Sequence, residues 1–177
     1  MAEETKELEA VQGIDIILLF RILKEAEANP ATKLAYQTEH ELTESSDTEA
    51  TATKDGPVNG NGTSETEISC TSILARNDEM VKKLRQARRD GDILEIWEVD
   101  VKDKDSEGKY GATYFRGKVS EYSKKPAAEG LTEVSLTFKI DGEGQEGRAT
   151  LTADQEEVVQ YQFEDTTVKK EPTPPEG

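Results

Sequence analysis

The chain has 177 residues, 33% of them apolar, and a formal net charge of −16. That length suits one domain of roughly 100–150 ordered residues plus peripheral segments, and the apolar share falls below the ~45–50% usual for globular domains, a range that also counts glycine. So acidic a chain repels phosphates and anionic membrane surfaces, which excludes an adhesive role toward DNA or lipid.

The apolar shortfall is concentrated in residues 43–66 and 164–177, so the remainder can still build a modest core. One cysteine, Cys70, excludes an internal disulfide framework and suits a reducing compartment. Placed in alternation with Ile68 and Leu74, it reads as a small buried hydrophobe. Residues 1–10 are acidic and lack the basic-then-apolar order of a signal peptide, so they are expected to form a flexible arm on a soluble protein made in a cytoplasm. The longest apolar stretch, residues 14–22, is broken by Asp15 and Arg21 and falls far short of the ~20 residues that cross a bilayer.

In chain order, residues 14–23 are apolar on both faces and predict a buried strand, with a short helix as the competing reading. Leu34, Tyr36, Thr38, His40 and Leu42 then alternate with Ala35, Gln37, Glu39, Glu41 and Thr43, the period of one half-buried strand. Residues 43–67 form a long polar hairpin or loop. Thr51 and Thr53 favour extended backbone there, but Ala50 and Ala52 are too small to anchor a core. Asp55-Gly56 supplies a turn, and Asn59-Gly-Asn-Gly62 predicts a tip with two left-handed positions. Such a strand is poorly specified alone, so it is either a loose loop or a wall that neighbouring subunits complete. Residues 68–75 return as a strand.

Residues 77–90 predict a helix. Asn77 is the expected N-cap, Asp78 and Glu79 sit at the positive end of the dipole, and Met80, Val81, Leu84 and Ala87 make one apolar stripe. Lys82, Lys83, Arg85, Arg88 and Arg89 occupy the other side, and Gly91 closes the helix in the left-handed region. Residues 93–101 read as a strand with Trp97, Val99 and Val101 on one side, 102–108 as a charged loop, and 110–122 as a long strand in which Gly111 and Gly117 mark bulges or close backbone approach. Val134, Leu136, Phe138 and Ile140 alternate with polar neighbours. Residues 142–147 predict a turn, 148–151 a short strand, Thr152 the cap of a helical turn, and Val159, Tyr161 and Phe163 a last strand. The proline-rich residues 168–177 are expected to be disordered. The sum is a mainly β domain over residues 11–167, an antiparallel β-sandwich or half-barrel flanked by one helix, with a long polar hairpin and flexible termini.

Chemical motifs fail on inspection. Gly142-Glu-Gly-Gln-Glu-Gly147 has the spacing of a phosphate loop, but an extended segment follows it and Glu143 and Glu146 repel phosphate. Asp103-Lys-Asp-Ser-Glu-Gly108 begins like a calcium loop, yet its twelfth position is Tyr114 where a bidentate glutamate is required. His40 is the only histidine, so neither an ordinary zinc site nor a Ser-His-acid triad can be assembled. Neighbouring carboxylates such as Glu39 with Glu41 and Glu156 with Glu157 are expected by chance in so acidic a chain. The basic helix face lacks interleaved aromatics and reads as a solvated face with dipole and subunit-contact roles. The chain reads as a non-enzyme with no catalytic residue, cofactor or metal.

Several segments together resemble the major tail protein, or tail tube protein, of siphophages. They are Val11-Gln-Gly-Ile-Asp-Ile-Ile-Leu-Leu-Phe-Arg21, Ala35-Tyr-Gln-Thr-Glu-His-Glu41, Thr51-Ala-Thr-Lys-Asp-Gly-Pro57, Glu95-Ile-Trp-Glu98, Lys109-Tyr-Gly-Ala-Thr-Tyr-Phe-Arg-Gly117, Gly147-Arg-Ala-Thr-Leu-Thr152 and Val159-Gln-Tyr-Gln-Phe163. They run in family order across roughly residues 10–167, and their specificity lies in co-occurrence. The resemblance implies a virion structural protein whose hexameric rings stack into a hollow tube, with DNA passing through the lumen without specific binding. It implies self-association as the main partnership, with a tape measure protein, distal tail protein and tail terminator protein as further partners and no membrane. Lumen-facing carboxylates are expected among Glu39, Glu41, Glu44, Glu49 and Glu133, and contacts between subunits or rings at Thr51, Thr53, Lys54, Asp55, Gly56, Asn59 and Asn61. The alternative reading is a capsid decoration or receptor-binding β-sandwich module.

Overall fold

Residues rich in Ile, Leu and Phe on both faces suit a strand covered on both sides, and such a strand is buried on both faces next to one edge of this sheet. The computed structural model describes residues 7–153, 155 and 156. These form β1 (Ile16–Ile22), β2 (Thr32–Lys33), β3 (Gln37–Thr53), β4 (Gly56–Ile73), α1 (Glu79–Asp90), β5 (Leu94–Lys104), β6 (Tyr110–Lys125), β7 (Glu133–Ile140) and β8 (Gln145–Ala149). The strands join one open antiparallel sheet in the order β2-β1-β5-β6-β7-β4-β3. β8 pairs with residues 110–114 of β6, and β7 with residues 117–125, so the two lie end to end along one edge of that long strand.

The sheet curls. Phe20 on β1 and Phe138 on β7 are three strand spacings apart along the ladder, roughly 14 Å in a flat sheet. Their rings nevertheless stack with centroids 5.2 Å apart. The concave face therefore encloses Leu18, Phe20, Ile22, Ile68, Cys70, Ile96, Phe115, Leu136 and Phe138, and α1 lays Met80, Val81, Leu84 and Ala87 onto them. A mainly β, half-barrel sheet flanked by one helix thus matches the expected class. A smaller cluster of Ile17, Leu19, Val99, Tyr110 and Leu151 covers the convex side of β1, β5 and β6, with Trp97 and Val101 packed against it. Gly117 pairs with Ile140 of β7, and a Cβ there would overlap the Lys139 carbonyl.

Several local expectations shift. The half-buried strand does not begin at Leu34: Leu34 is buried, but Tyr36 adopts φ 51° and breaks the alternation, so β3 starts at Gln37. The helix cap is Asp78, which accepts the Met80 and Val81 N–H groups, while Asn77 turns the chain into the helix at φ 65°. Gly91 ends the helix at φ 70°, as expected. Residues 59–62 are not a tip. The hairpin reverses at Lys54-Asp55 with Thr53 opposite Gly56, and Asn59, Gly60 and Asn61 pair with Ala50, Glu49 and Thr48 inside the ladder. Gly62 lies at a bulge opposite Asp47, where a Cβ would overlap the Asp47 carbonyl. β5 continues to Lys104, shortening the charged loop after it, and β8 begins at Gln145, shortening the glycine turn before it. A bulge in β6 falls between Val119 and Glu121, while Gly111 lies beside the irregularity of β5 between Asp100 and Lys104, where a Cβ would overlap the Asp103 carboxylate, as the expectation of a bulge or close approach has it. Thr152 Oγ1 accepts the Gln155 N–H, consistent with its capping role. The expected strand at Val159, Tyr161 and Phe163, the proline-rich end and residues 1–6 lie outside the described residues.

Candidate functional site

Three surfaces stand out because the sheet leaves backbone or charge without an internal partner. The first is the seam between the two ends of the sheet. β2 covers only Leu19 and Phe20 of β1. Beside them Gln37, from the far edge strand, acts as a substitute ladder residue: its Oε1 accepts the Leu18 N–H at 3.2 Å and its Nε2 donates to the Leu18 carbonyl at 2.7 Å. One turn of the pleat further, His40 Nε2 stands 3.1 Å from Glu98 Oε2 on β5. Side chains alone therefore bridge β3 to β1 and β5. Between them lies a groove of about 790 Å³ lined by Ile14, Ile17, Lys33, Gln37, His40, Leu42 and Glu98. Partial burial lowers the affinity of the Lys33 amine for its proton.

The second surface is a projecting arm. β4 pairs with β7 only from Thr66 to Ile73. Below that point residues 45–53 of β3 and 56–65 of β4 pair only with each other, a two-stranded ribbon about 30 Å long at ~3.4 Å per residue. Its side chains are exposed throughout, apart from a half-buried Gly56 at the turn. Thr51, Thr53, Lys54, Asp55, Gly56, Asn59 and Asn61 all lie on this arm.

The third surface is the polar face of β6, β7, β4 and β3, opposite the core. Strand alternation and the ladder register place Glu39 and Glu41 of β3, Glu67 of β4, Glu133 of β7 and Glu121 of β6 on it. Lys118, Lys125 and Lys139 share this face, and Lys139 Nζ is held 2.6 Å from Glu67 Oε2. Carboxylates thus dominate toward β3, and lysines are confined to the β6–β7 side. Glu44 is not part of this face: it pairs with Thr66, whose side chain is buried toward the core. Glu49 lies out on the arm. Glu67 and Glu121 were missed from sequence. For Glu67 the signal was available, because it precedes Ile68 and Cys70 in strict alternation.

The residues examined for chemistry are otherwise engaged. Cys70 is buried, and that burial pushes its thiol up to about 12, far from a reactive thiolate. Asp105 Oδ1 accepts the N–H groups of Lys109 and Glu107, which together with Arg148 hold its carboxyl below the usual range. Arg148 also pairs with Asp103 at 3.0 Å, so this loop's acids serve a turn and a guanidinium. Glu156 Oε1 accepts the Tyr110 hydroxyl at 2.7 Å. On the convex side, burial alone would raise the Glu95 carboxyl, but Arg21 at 2.6 Å and the Tyr114 hydroxyl at 2.8 Å outweigh it and lower it. Arg21 also lies over Trp97, with 5.1 Å to the ring centroid. Among the described residues no group of three or more His, Cys, Asp or Glu side chains could hold a metal. No described helix is long and apolar enough to cross a membrane.

Residues 10–146 match the family of phage tail tube proteins. The chain is 32% identical over 159 residues to a protein of Staphylococcus phage phiMR25 that carries a tail-protein name, covering 86% of this chain and 81% of that one. Its fold is similar to the SPP1 tail tube solved by solid-state NMR and cryo-EM, with TM-score 0.72 and 20% identity over 90% of this chain and 96% of that one. It is also similar to a chain in the tail of an empty gene transfer agent particle refined with C6 symmetry, with TM-score 0.60 and 13% identity over 77% of this chain and 98% of that one.

Proposed function

The chain belongs to the phage tail tube protein family, structural proteins of the virion tail, and from that premise we propose that it builds the tube as stacked hexameric rings around a DNA channel. The observation that carries this reading is the combination of a sheet closed only by side chains, an arm with no core of its own and a carboxylate-rich face next to both. An edge strand as long as β3 exposes a row of unpaired backbone groups that invites pairing with another copy. The six-fold symmetry of the gene transfer agent tail supports the ring size. The polar face lines the bore, with Glu39, Glu41, Glu67, Glu121 and Glu133 toward DNA. On the β3–β4 part of that face, which carries no cation, the carboxylates offer phosphates no cationic contact, so a genome slides past it instead of adhering. The arm, through Thr51, Thr53, Lys54, Asp55, Gly56, Asn59 and Asn61, reaches the next ring. Tape measure, distal tail and tail terminator proteins contact the tube, and the protein performs no catalysis.

Electron microscopy of the purified chain tests the architecture. Rings or tubes are expected, and dispersed monomers under all conditions would instead favour a capsid decoration or receptor-binding module. The bore is tested by replacing Glu39, Glu41 and Glu133 with lysine in assembled phage. Ejection should slow at low salt and recover at high salt, because each phosphate contact released by salt weakens with its concentration. Intact tubes that eject at the parental rate in low salt would remove these residues from the lumen.

A further inference from the structure

Two separate surfaces of the subunit carry opposite charge. The arm leaves the sheet beyond the Thr66–Ile140 pair and bears four carboxylates, Asp47, Glu49, Asp55 and Glu65, against the single cation Lys54. At the other end of β4 the chain passes Ile73 and enters α1, which leads to the start of β5. The helix is held at that end by Asp78 Oδ2, which accepts the Ala35 N–H beside the start of β3 at 3.2 Å. Its twelve residues carry five cations against Glu79 and Asp90, in a chain where acids outnumber bases 38 to 22.

Two of these cations are already engaged: Lys82 pairs with Glu79 and Lys83 with Glu25, each at 2.8 Å. Arg85, Arg88 and Arg89 are exposed and stand at i, i+3 and i+4, so they form one stripe along the helix. Among the described residues none of the three has a carboxylate within ion-pair distance, although Arg85 lies over the Tyr122 ring. Last-turn arginines also suit the helix dipole, but a dipole role does not require that they form a stripe free of carboxylate partners.

We infer that the acidic arm of one copy docks along the Arg85–Arg88–Arg89 stripe of α1 in a copy of the next ring. This deepens the stacked-ring reading above and rests on it. Two unlike, complementary surfaces make a heterologous contact, which can repeat without closing and so yield an open stack. Guanidinium planes grip carboxylates two bonds at a time, fixing the register of the arm as well as its attraction. Arm against arm, the same carboxylates repel, which suppresses head-to-head stacking.

Charge exchange tests the pairing in the full-length chain. The helix variant is R85E/R88E/R89E and the arm variant D47R/E49R/E65R. Each alone should melt within a few degrees of the parent as an unassembled subunit, yet give about ten-fold less pelletable tube, as several lost exposed ion pairs would produce. Combining both sets should restore tube yield, and parental assembly should weaken as salt rises through the physiological range. If the combined variant assembles no better than the single ones, or if the helix variant alone gives tubes of parental yield, the docking is wrong. If deleting residues 48–61 abolishes stacking while the helix variant stacks normally, the arm still joins rings but through another surface, so the docking fails while the tube reading stands. A parent chain that forms no rings or tubes would overturn both.

Discussion

Gln37→Ala measures how firmly the seam is held. The substitution removes two hydrogen bonds, at 3.2 and 2.7 Å, from the Leu18 backbone. Each bond contributes about 1 kcal/mol net, and where the remaining donor or acceptor is left buried and unpaired the loss is instead about 1–3 kcal/mol. Leu18 is fully buried, but the neighbouring groove lets water reach one side, which limits the second penalty. The expected loss is therefore about 2–3 kcal/mol, or about 5–10 °C in melting temperature for a domain near 150 residues. Urea unfolding followed by Trp97 fluorescence reads it directly. Gln37→Glu provides an internal control. It keeps an acceptor for the Leu18 N–H but turns a second carboxylate oxygen toward the Leu18 carbonyl. It should match the alanine variant at neutral pH and recover part of the loss when protonated. A Gln37→Ala subunit within 0.5 kcal/mol of the parent, on the ~1 kcal/mol scale of a single bond, would mean that the side-chain bridge contributes little to closure.

Gly117→Ala should be among the costliest single-methyl additions, at about 3 kcal/mol, because the new Cβ meets the β7 backbone at Lys139 and Ile140 and not a movable side chain; parental stability in chemical denaturation would contradict that close approach. The lowered Glu95 carboxyl contributes stability that is present above its ordinary value near 4.5 and is lost as pH falls through its depressed folded value. Glu95→Gln should accordingly flatten the acid limb of the stability profile below pH 4.5, and an unchanged acid limb would show that the Arg21 pairing is not what lowers this group.

The elements legible in sequence are those whose period is undiluted. The run expected at 14–23 forms a buried strand over residues 16–22, with Ile14 left exposed, and Val134, Leu136 and Phe138 and the Met80, Val81, Leu84 and Ala87 stripe bury the side chains that their spacing assigned. Misplacements came from competition between equally good local signals. Asn77 and Asp78 are both strong caps, and only the positive φ at Asn77 decides between them. Asn59-Gly-Asn-Gly62 is as turn-like as Lys54-Asp-Gly56, but a two-residue reversal at 54–55 aligns both strands, pairs Gly60 with Glu49 and leaves Gly62 to a bulge. Site parity was partly readable: Glu39 and Glu41 share a face, and Glu44, an odd step from Glu41, must take the other. What no local pattern reveals is the curl, because the Phe20–Phe138 stack and the Gln37–Leu18 bridge join strands remote in both sequence and ladder order.

The arm states the assembly problem in its simplest form. A lone two-stranded ribbon is marginal in water, and this one adds nothing to bury: among its large apolar side chains only Val58 stands out, and it is exposed. Its neighbours Ala50 and Ala52 cannot build a core, so its order has to be stabilised from outside the subunit. The outer edge of β3 contains neither proline nor lysine along its length, only the carboxylates Glu39, Glu41, Glu44, Asp47 and Glu49 among its charges. Charge of one sign protects an edge against copies of itself and leaves it attractive to a cationic surface. The same acidity that keeps the arm from pairing with another arm thus narrows its acceptable partners to a positively charged one, and α1, with five cations in twelve residues, offers such a surface.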